Sequence, residues 1–230
     1  MSPVGVGGAA ALLGATSGVY CGCLPRPACA AYGIDAPSPS TISMCRVLGG
    51  TNVAFSMLAL TSLKGLAAGS AMRVAWTPLL LATVLESINM RSAPLLLAAS
   101  ATAGSLVACG KLGCASLCST LALLLGLLAA LVPRQAAAAL GGSADDGAFI
   151  GMCQNVGNQL CALAVLQLLL TQGVFAAATT AIGCGWAVAL VGLLHMTFVC
   201  NAHAAMGVSK EGTAYPWLLV QPVIIAFSLL

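Results

Sequence analysis

Charge is what this sequence has least of. Eight Lys and Arg and five Asp and Glu make up 6% of 230 residues, against 60% hydrophobic residues and a mean hydropathy of +1.04. A soluble domain carries about a quarter charged residues. So few charges cannot cover the water-facing surface of a globule this size, and lipid is the main solvent the composition fits. The net charge is only +3 and the basic residues stand singly. Clusters that grip a nucleic-acid backbone or anionic lipid headgroups are missing, so no nucleic-acid partner is expected.

Signatures of chemistry are lacking as well. The sequence holds no GxSxG, HExxH, Walker loop, dinucleotide fingerprint or pair of CxxC motifs. No catalytic residue and no metal site is therefore assigned, and a role without turnover is expected. The eleven cysteines are odd in number, and most fall in apolar stretches where a free thiol behaves as a small apolar residue. Cys21, Cys23 and Cys29 lie close together at a helix end; one disulfide among them and three free thiols both fit. No basic n-region precedes the first apolar stretch and no Arg/Ser-rich transit peptide is visible. Either a leader has been removed or the first helix directs insertion.

What is present is long apolar runs. Leu121 to Val132 and Leu160 to Leu170 are continuous and rich in Ala and Leu. A membrane β-barrel would instead alternate over segments of about ten residues. Helices of about 20 residues are the expected spans. Their expected positions are 4–20, 42–64, 71–88, 92–109, 115–132, 149–172, 178–199 and 214–230. The fold class is thus an all-α integral membrane protein of about eight transmembrane helices.

Residues 25–49 (PRPACAAYGIDAPSPSTISMCRVLG) align without a gap on residues 133–157 (PRQAAAALGGSADDGAFIGMCQNVG) at an offset of 108, with 11 of 25 identical. The shared Pro-Arg and Ile-x-Met-Cys exceed what alanine richness supplies. With a two-residue insertion, Trp76 pairs with Trp186. Self-similarity of this kind marks a repeat, so two tandem four-helix repeats are expected, 1–110 and 111–230. An even helix count per copy makes them parallel, related by an axis along the membrane normal. Pro25 and Pro133 end the helices before them, and the segments 25–41 and 133–148 are expected to be loops in water or against a partner. Arg26, Arg46, Arg91, Arg134 and Lys210 on one side face Lys64, Arg73 and Lys111 on the other. That is a shallow positive-inside bias.

The segment Pro25-Arg-Pro-Ala-Cys-Ala-Ala-Tyr-Gly33, followed by Arg46-Val-Leu-Gly49 opening a helix, resembles the DoxX-like family of small four-helix membrane proteins. The resemblance covers about 90 residues of the first copy and implies a four-helix bundle without fixing a chemistry. In the second copy Leu140 stands for Tyr32 and Gln154 for Arg46.

A few polar residues are candidates for a site. Arg46 either snorkels to the interface or reaches inward to Asp35, Glu86 or an anionic head group. Glu86, Asn89 and Arg91 form Glu-x-x-Asn-x-Arg, similar to the chlorophyll-binding signature of light-harvesting helices; the alternative is a polar connection between helices. His195 is either a buried neutral histidine or an axial ligand to chlorophyll or haem, with His203 beyond the helix end. Gly14-x-x-x-Gly18 and Gly65-x-x-x-Gly69 permit close helix approach. Together these favour an accessory subunit of a large organellar energy-converting complex, a photosystem first. Chlorophyll, carotenoid or lipid would be its bound groups, other membrane subunits its partners, and the thylakoid its site ahead of the inner mitochondrial membrane. The alternative is a small-solute transporter with its site between the two repeats.

Overall fold

A computed structural model of the chain describes residues 3–92, 94–97, 99–100, 103, 112–143, 145–206 and 215–229. All regular structure among them is helical. The longer elements are α1 (Pro3–Cys23), α3 (Pro39–Leu63), α4 (Ala68–Asn89), α5 (Leu112–Leu131), α7 (Gly147–Gln172), α8 (Ala178–Leu194) and α10 (Tyr215–Leu229). Short helices α2 (Pro25–Ala31), α6 (Pro133–Ala139) and α9 (Ala202–Ala205) lie between them. A π-helical turn, His195–Val199, continues α8. Five helices are long and apolar enough to cross a membrane, and a sixth follows if the bent pair Ser119–Leu131 and Pro133–Ala139 is one span. The helix expected at 92–109 falls largely outside the described residues, as does the expected repeat boundary.

Large apolar side chains face outward on the peripheral helices, among them Leu12 on α1, Leu85 on α4, Leu124 on α5, Val191 on α8 and Leu219 on α10. In water such a surface would aggregate; against acyl chains it is the favourable surface. Inside, α3 and α7 pack against each other and form the centre. α1 and α4 pack on α3, α5 and α8 pack on α7, and α10 lies against α8 and α1. Phe55, Trp76, Leu163, Leu166, Ile182 and Trp186 build the core between them.

The segments expected to be loops are partly helical, which corrects the sequence reading. Pro25 and Pro133 each occupy the first helical position of a seven-residue helix. Proline is tolerated there because the N–H it lacks would have had no intrahelical partner. Each helix is closed by a glycine at positive φ, Gly33 at 80° and Gly141 at 87°, a conformation that only glycine adopts without strain.

Local geometry recurs at the same spacing elsewhere. Gly18 lies against Gly49, and a Cβ on Gly49 would stand 2.5 Å from the Gly18 carbonyl oxygen. Gly126 lies against Gly157 in the same way, where a Cβ on Gly157 would stand 2.7 Å from the Gly126 oxygen. Gly14 is equally enclosed, with Ser56 Oγ 2.6 Å from where its Cβ would be. The Gly14/Gly18 stripe is therefore buried against α3 within the molecule. Gly65, by contrast, ends the α3 connection at φ 72° with open space around it.

Candidate functional site: a polar cavity between the helices

The ionisable candidates separate into distinct places. Arg46 Nη1 donates to Glu86 Oε1 at 3.3 Å, with the Glu86 side chain 2% exposed and Arg46 38%. Asn89 Nδ2 donates to the other oxygen, Oε2, at 3.0 Å. Arg46 thus reaches inward, and α4 delivers a carboxylate to meet it. Arg91 stands apart, exposed and at φ 51° just beyond the end of α4. Position 154, which aligns with Arg46, is a glutamine whose Nε2 donates to the Ala130 carbonyl at 3.0 Å. Position 196, which aligns with Glu86 in the Trp76/Trp186 register, is a buried methionine. Both ends of the ion pair are neutral at the aligned positions.

His195 is half-buried, with its ring nitrogens 3.6 Å from Cys200 Sγ. His203 is the buried histidine, sharing a hydrogen bond with Thr197 at 3.1 Å. Cys21, Cys23 and Cys29 are all free thiols: Cys23 is exposed, while Cys21 and Cys29 are buried. Cys45 shares hydrogen bonds with both buried ones. Among the described residues no group of His, Cys, Asp or Glu is arranged to hold a metal ion.

The site that sequence reasoning missed lies between the helices, from Tyr32, His203 and Met206 at one end to Phe55 and Ser56 within α3. A cavity of about 70 Å3 opens between α1, α3, α7, α8 and α10. Its hydroxyls come from Ser17, Tyr32 and Ser56. Its amides come from Asn52, Asn155, Asn158, Gln159 and Gln221. Phe55, Trp186 and Trp217 supply flat walls, and Phe55 meets Trp186 edge to face with centroids 5.4 Å apart. His203 and Met206 lie at one end. Among the described lining residues none is Asp, Glu, Lys or Arg. Desolvation, with the neighbouring Cys21 thiol adding to it, pushes the Tyr32 phenol above its ordinary range, so Tyr32 presents a neutral hydroxyl.

Four residues that line this cavity each bury one polar atom without a hydrogen-bond partner: Ser56 Oγ, Asn158 Nδ2, Trp186 Nε1 and Gln221 Oε1. The four residues are 0 to 5% exposed. A buried polar group left without a hydrogen bond costs about 1–3 kcal/mol.

A second cavity, of about 270 Å3, gives the contrast. Part of its lining stands 108 residues from lining positions of the first. Leu125 stands for Ser17, Leu140 for Tyr32 and Leu160 for Asn52; Val47 stands for Asn155 and Thr51 for Gln159. Its tryptophan, Trp76, donates to Gln167 Oε1 at 2.5 Å. Trp186 lacks such a partner because Ala59 occupies the position aligned with Gln167. One cavity is polar and unsatisfied; the other is apolar, with its tryptophan paired. The spacing Asn155-x-x-Asn158-Gln159 on α7, with Asn52-x-x-x-Ser56 on α3, is the sequence signal for the polar one, since i, i+3 and i+4 share a helix face.

No family model, curated protein or solved structure matches this chain. The DoxX-like resemblance rests on the Pro25–Gly33 and Arg46–Gly49 motifs alone.

Proposed function

We propose that this protein binds a small uncharged polar solute inside the membrane and lets it cross. The observation that carries this is the lining of hydroxyl and side-chain amide groups, with aromatic walls, around one cavity between the helices. The lining supplies donors and acceptors without a formal charge, which suits a neutral solute and disfavours an ion. Its volume is about half that of an apolar cavity of about 150 Å3 that holds benzene, so the solute is smaller than benzene. Polar groups among membrane-spanning helices are costly and mark solute paths. A site between two halves of a bundle is the common arrangement in transporters.

This reading takes the chain as two parallel copies of one four-helix unit, 1–110 and 111–230. The recurring short helices, the paired glycines and the aligned cavities at one offset support it. Gly14 and Gly18 face α3 within the molecule and both Glu86 oxygens are engaged, while His195, half-buried beside Cys200, leaves the accessory-subunit reading one candidate ligand.

The test is stopped-flow light scattering on proteoliposomes under osmotic gradients of glycerol, urea and sodium chloride. Faster equilibration of an uncharged solute than in protein-free vesicles, with none for the salt, is expected. Equal rates with and without protein for both uncharged solutes would refute the proposal.

A further inference from the structure

We infer that Cys200 is a site of S-acylation, a thiol that takes a long-chain acyl group from an acyl thioester with His195 as its base. Neither residue lines the polar cavity, so the inference stands apart from the solute reading.

The π-helical turn builds the pair. In an α-helix, residues five apart lie about 140° apart round the axis, so His195 and Cys200 would face different ways. The turn His195–Val199 is wound wider, and the Cys200 N–H closes it on the His195 carbonyl at 3.0 Å. The two side chains are thereby brought together, with either ring nitrogen of His195 3.6 Å from Cys200 Sγ. From α7, Gln154 Nε2 donates to the same sulfur at 3.3 Å while also donating to the Ala130 carbonyl. A thiol beside a base and an N–H donor is an activated nucleophile: the imidazole takes the proton, and the amide steadies the charge left on sulfur. The first copy repeats none of this. At an offset of 110 the aligned residues are Leu85 and Met90, α4 stays α-helical to Asn89, and Arg46 stands for Gln154.

Position selects the acyl group. Cys200 is exposed and directly follows the apolar span Ala178–Val199. Leu194, Phe198 and Val199 beside it are exposed as well. Gln154 stands eight residues past the Asp146 cap, about 12 Å along α7. The thiol therefore opens on lipid close to a membrane face. An amphipathic acyl donor places its thioester at that level and lays its chain on the apolar side chains, and cysteines next to a span are the positions S-acylation uses. In the step itself, the Cys200 sulfur attacks the thioester carbonyl carbon as His195 accepts the thiol proton. A new carbon–sulfur bond forms, the old one breaks, and the proton leaves with the departing thiolate. One thioester replaces another, so no oxidant or reductant enters.

Cys23 is the internal comparison. It too is exposed, at the end of α1, and among the described residues no side chain hydrogen-bonds its thiol. The full chain in liposomes is incubated with palmitoyl-CoA or with acetyl-CoA, and hydroxylamine-labile mass is mapped to each cysteine by peptide mass spectrometry. Palmitoyl transfer to Cys200 should be about a hundredfold faster than to Cys23, the scale of general-base catalysis, with acetyl transfer slow at both. His195→Gln should remove that advantage and leave the Cys23 rate unchanged, which separates loss of the base from loss of the fold. Equal palmitoyl transfer to Cys200 and Cys23 in the unaltered protein would overturn the proposal without any variant. An undiminished rate at Cys200 in His195→Gln would overturn it too. Acetyl transfer to Cys200 as fast as palmitoyl transfer would overturn the long-chain class.

Discussion

Ser38 Oγ donates a 2.6 Å hydrogen bond to Asp146 Oδ2, and the two residues are 108 positions apart. Each caps its own helix: Ser38 Oγ accepts from the Thr41 N–H at 3.1 Å, and Asp146 Oδ1 accepts from the Phe149 N–H at 2.9 Å. The N-termini of the two central helices, α3 and α7, are thereby tied at one end of the molecule. Two adjacent helices that start at the same level fit parallel halves.

Breaking this tie should cost more than losing one cap. Ser38→Ala removes a cap worth about 1 kcal/mol and also the bond to Asp146. Asp146→Ala removes the α7 cap and the same bond. Thermal unfolding in micelles should show each single variant destabilised. The double variant should lose less than the sum, with a coupling of about 0.5–3 kcal/mol. Strict additivity would mean that the two caps act separately.

The paired glycines give a steric prediction. Gly49→Ala and Gly157→Ala each place a Cβ under 3 Å from backbone of the facing helix, where no side chain can swing away. Overpacking of this kind costs about 1–3 kcal/mol. Gly8→Ala, in α1, meets nothing within 4 Å and should be neutral or slightly stabilising through helix propensity. Equal unfolding temperatures for Gly49→Ala and Gly8→Ala would show that α1 does not approach α3 so closely.

The Arg46–Glu86 pair is partly exposed at its arginine end, so its removal as a unit should be mild. Removing one partner should be worse: Glu86→Gln leaves the 38%-exposed Arg46 without its counter-ion and costs up to about 1 kcal/mol. The double variant Arg46→Gln, Glu86→Met copies the residues at 154 and 196. It should recover most of that loss in the same unfolding assay. A double variant no more stable than Glu86→Gln alone would contradict the pairing.

Much of the helical frame was legible in the sequence, because apolar runs of twenty residues admit little else. The stretches expected at 42–64 and 149–172 are α3 (Pro39–Leu63) and α7 (Gly147–Gln172), shifted only where Ser38 with Pro39, and Asp146, start the helices earlier. The seven-residue helices after Pro25 and Pro133 were not legible: their prolines read as stops, although a proline also opens a helix. Attention to ionisable residues found the Arg46–Glu86 pair and passed over the cavity. Asn52, Asn155, Asn158 and Gln159 are uncharged, and each is diluted in an apolar helix. Their convergence depends on how α3 meets α7, which no local pattern records. Nor did the sequence separate the two histidines: the π-helical turn at His195–Val199 leaves His203 on the cavity, with His195 beside Cys200.

The central claim is that the polar residues lining the cavity serve a solute and not the fold, and one paired measurement tests it. Trp186→Phe removes the indole N–H and keeps a ring against Phe55; Asn158→Leu replaces an amide with an apolar group of similar size. If those residues exist for a guest, burying apolar groups in their place is neutral or stabilising, while the guest loses its contacts. Unfolding temperature and solute flux in proteoliposomes should be measured on the same preparations. The account predicts temperatures equal to or above that of the unaltered protein, together with loss of uncharged-solute flux. Lowered temperatures with flux intact would contradict it, because the polar atoms would then be holding the structure and the solute would pass elsewhere.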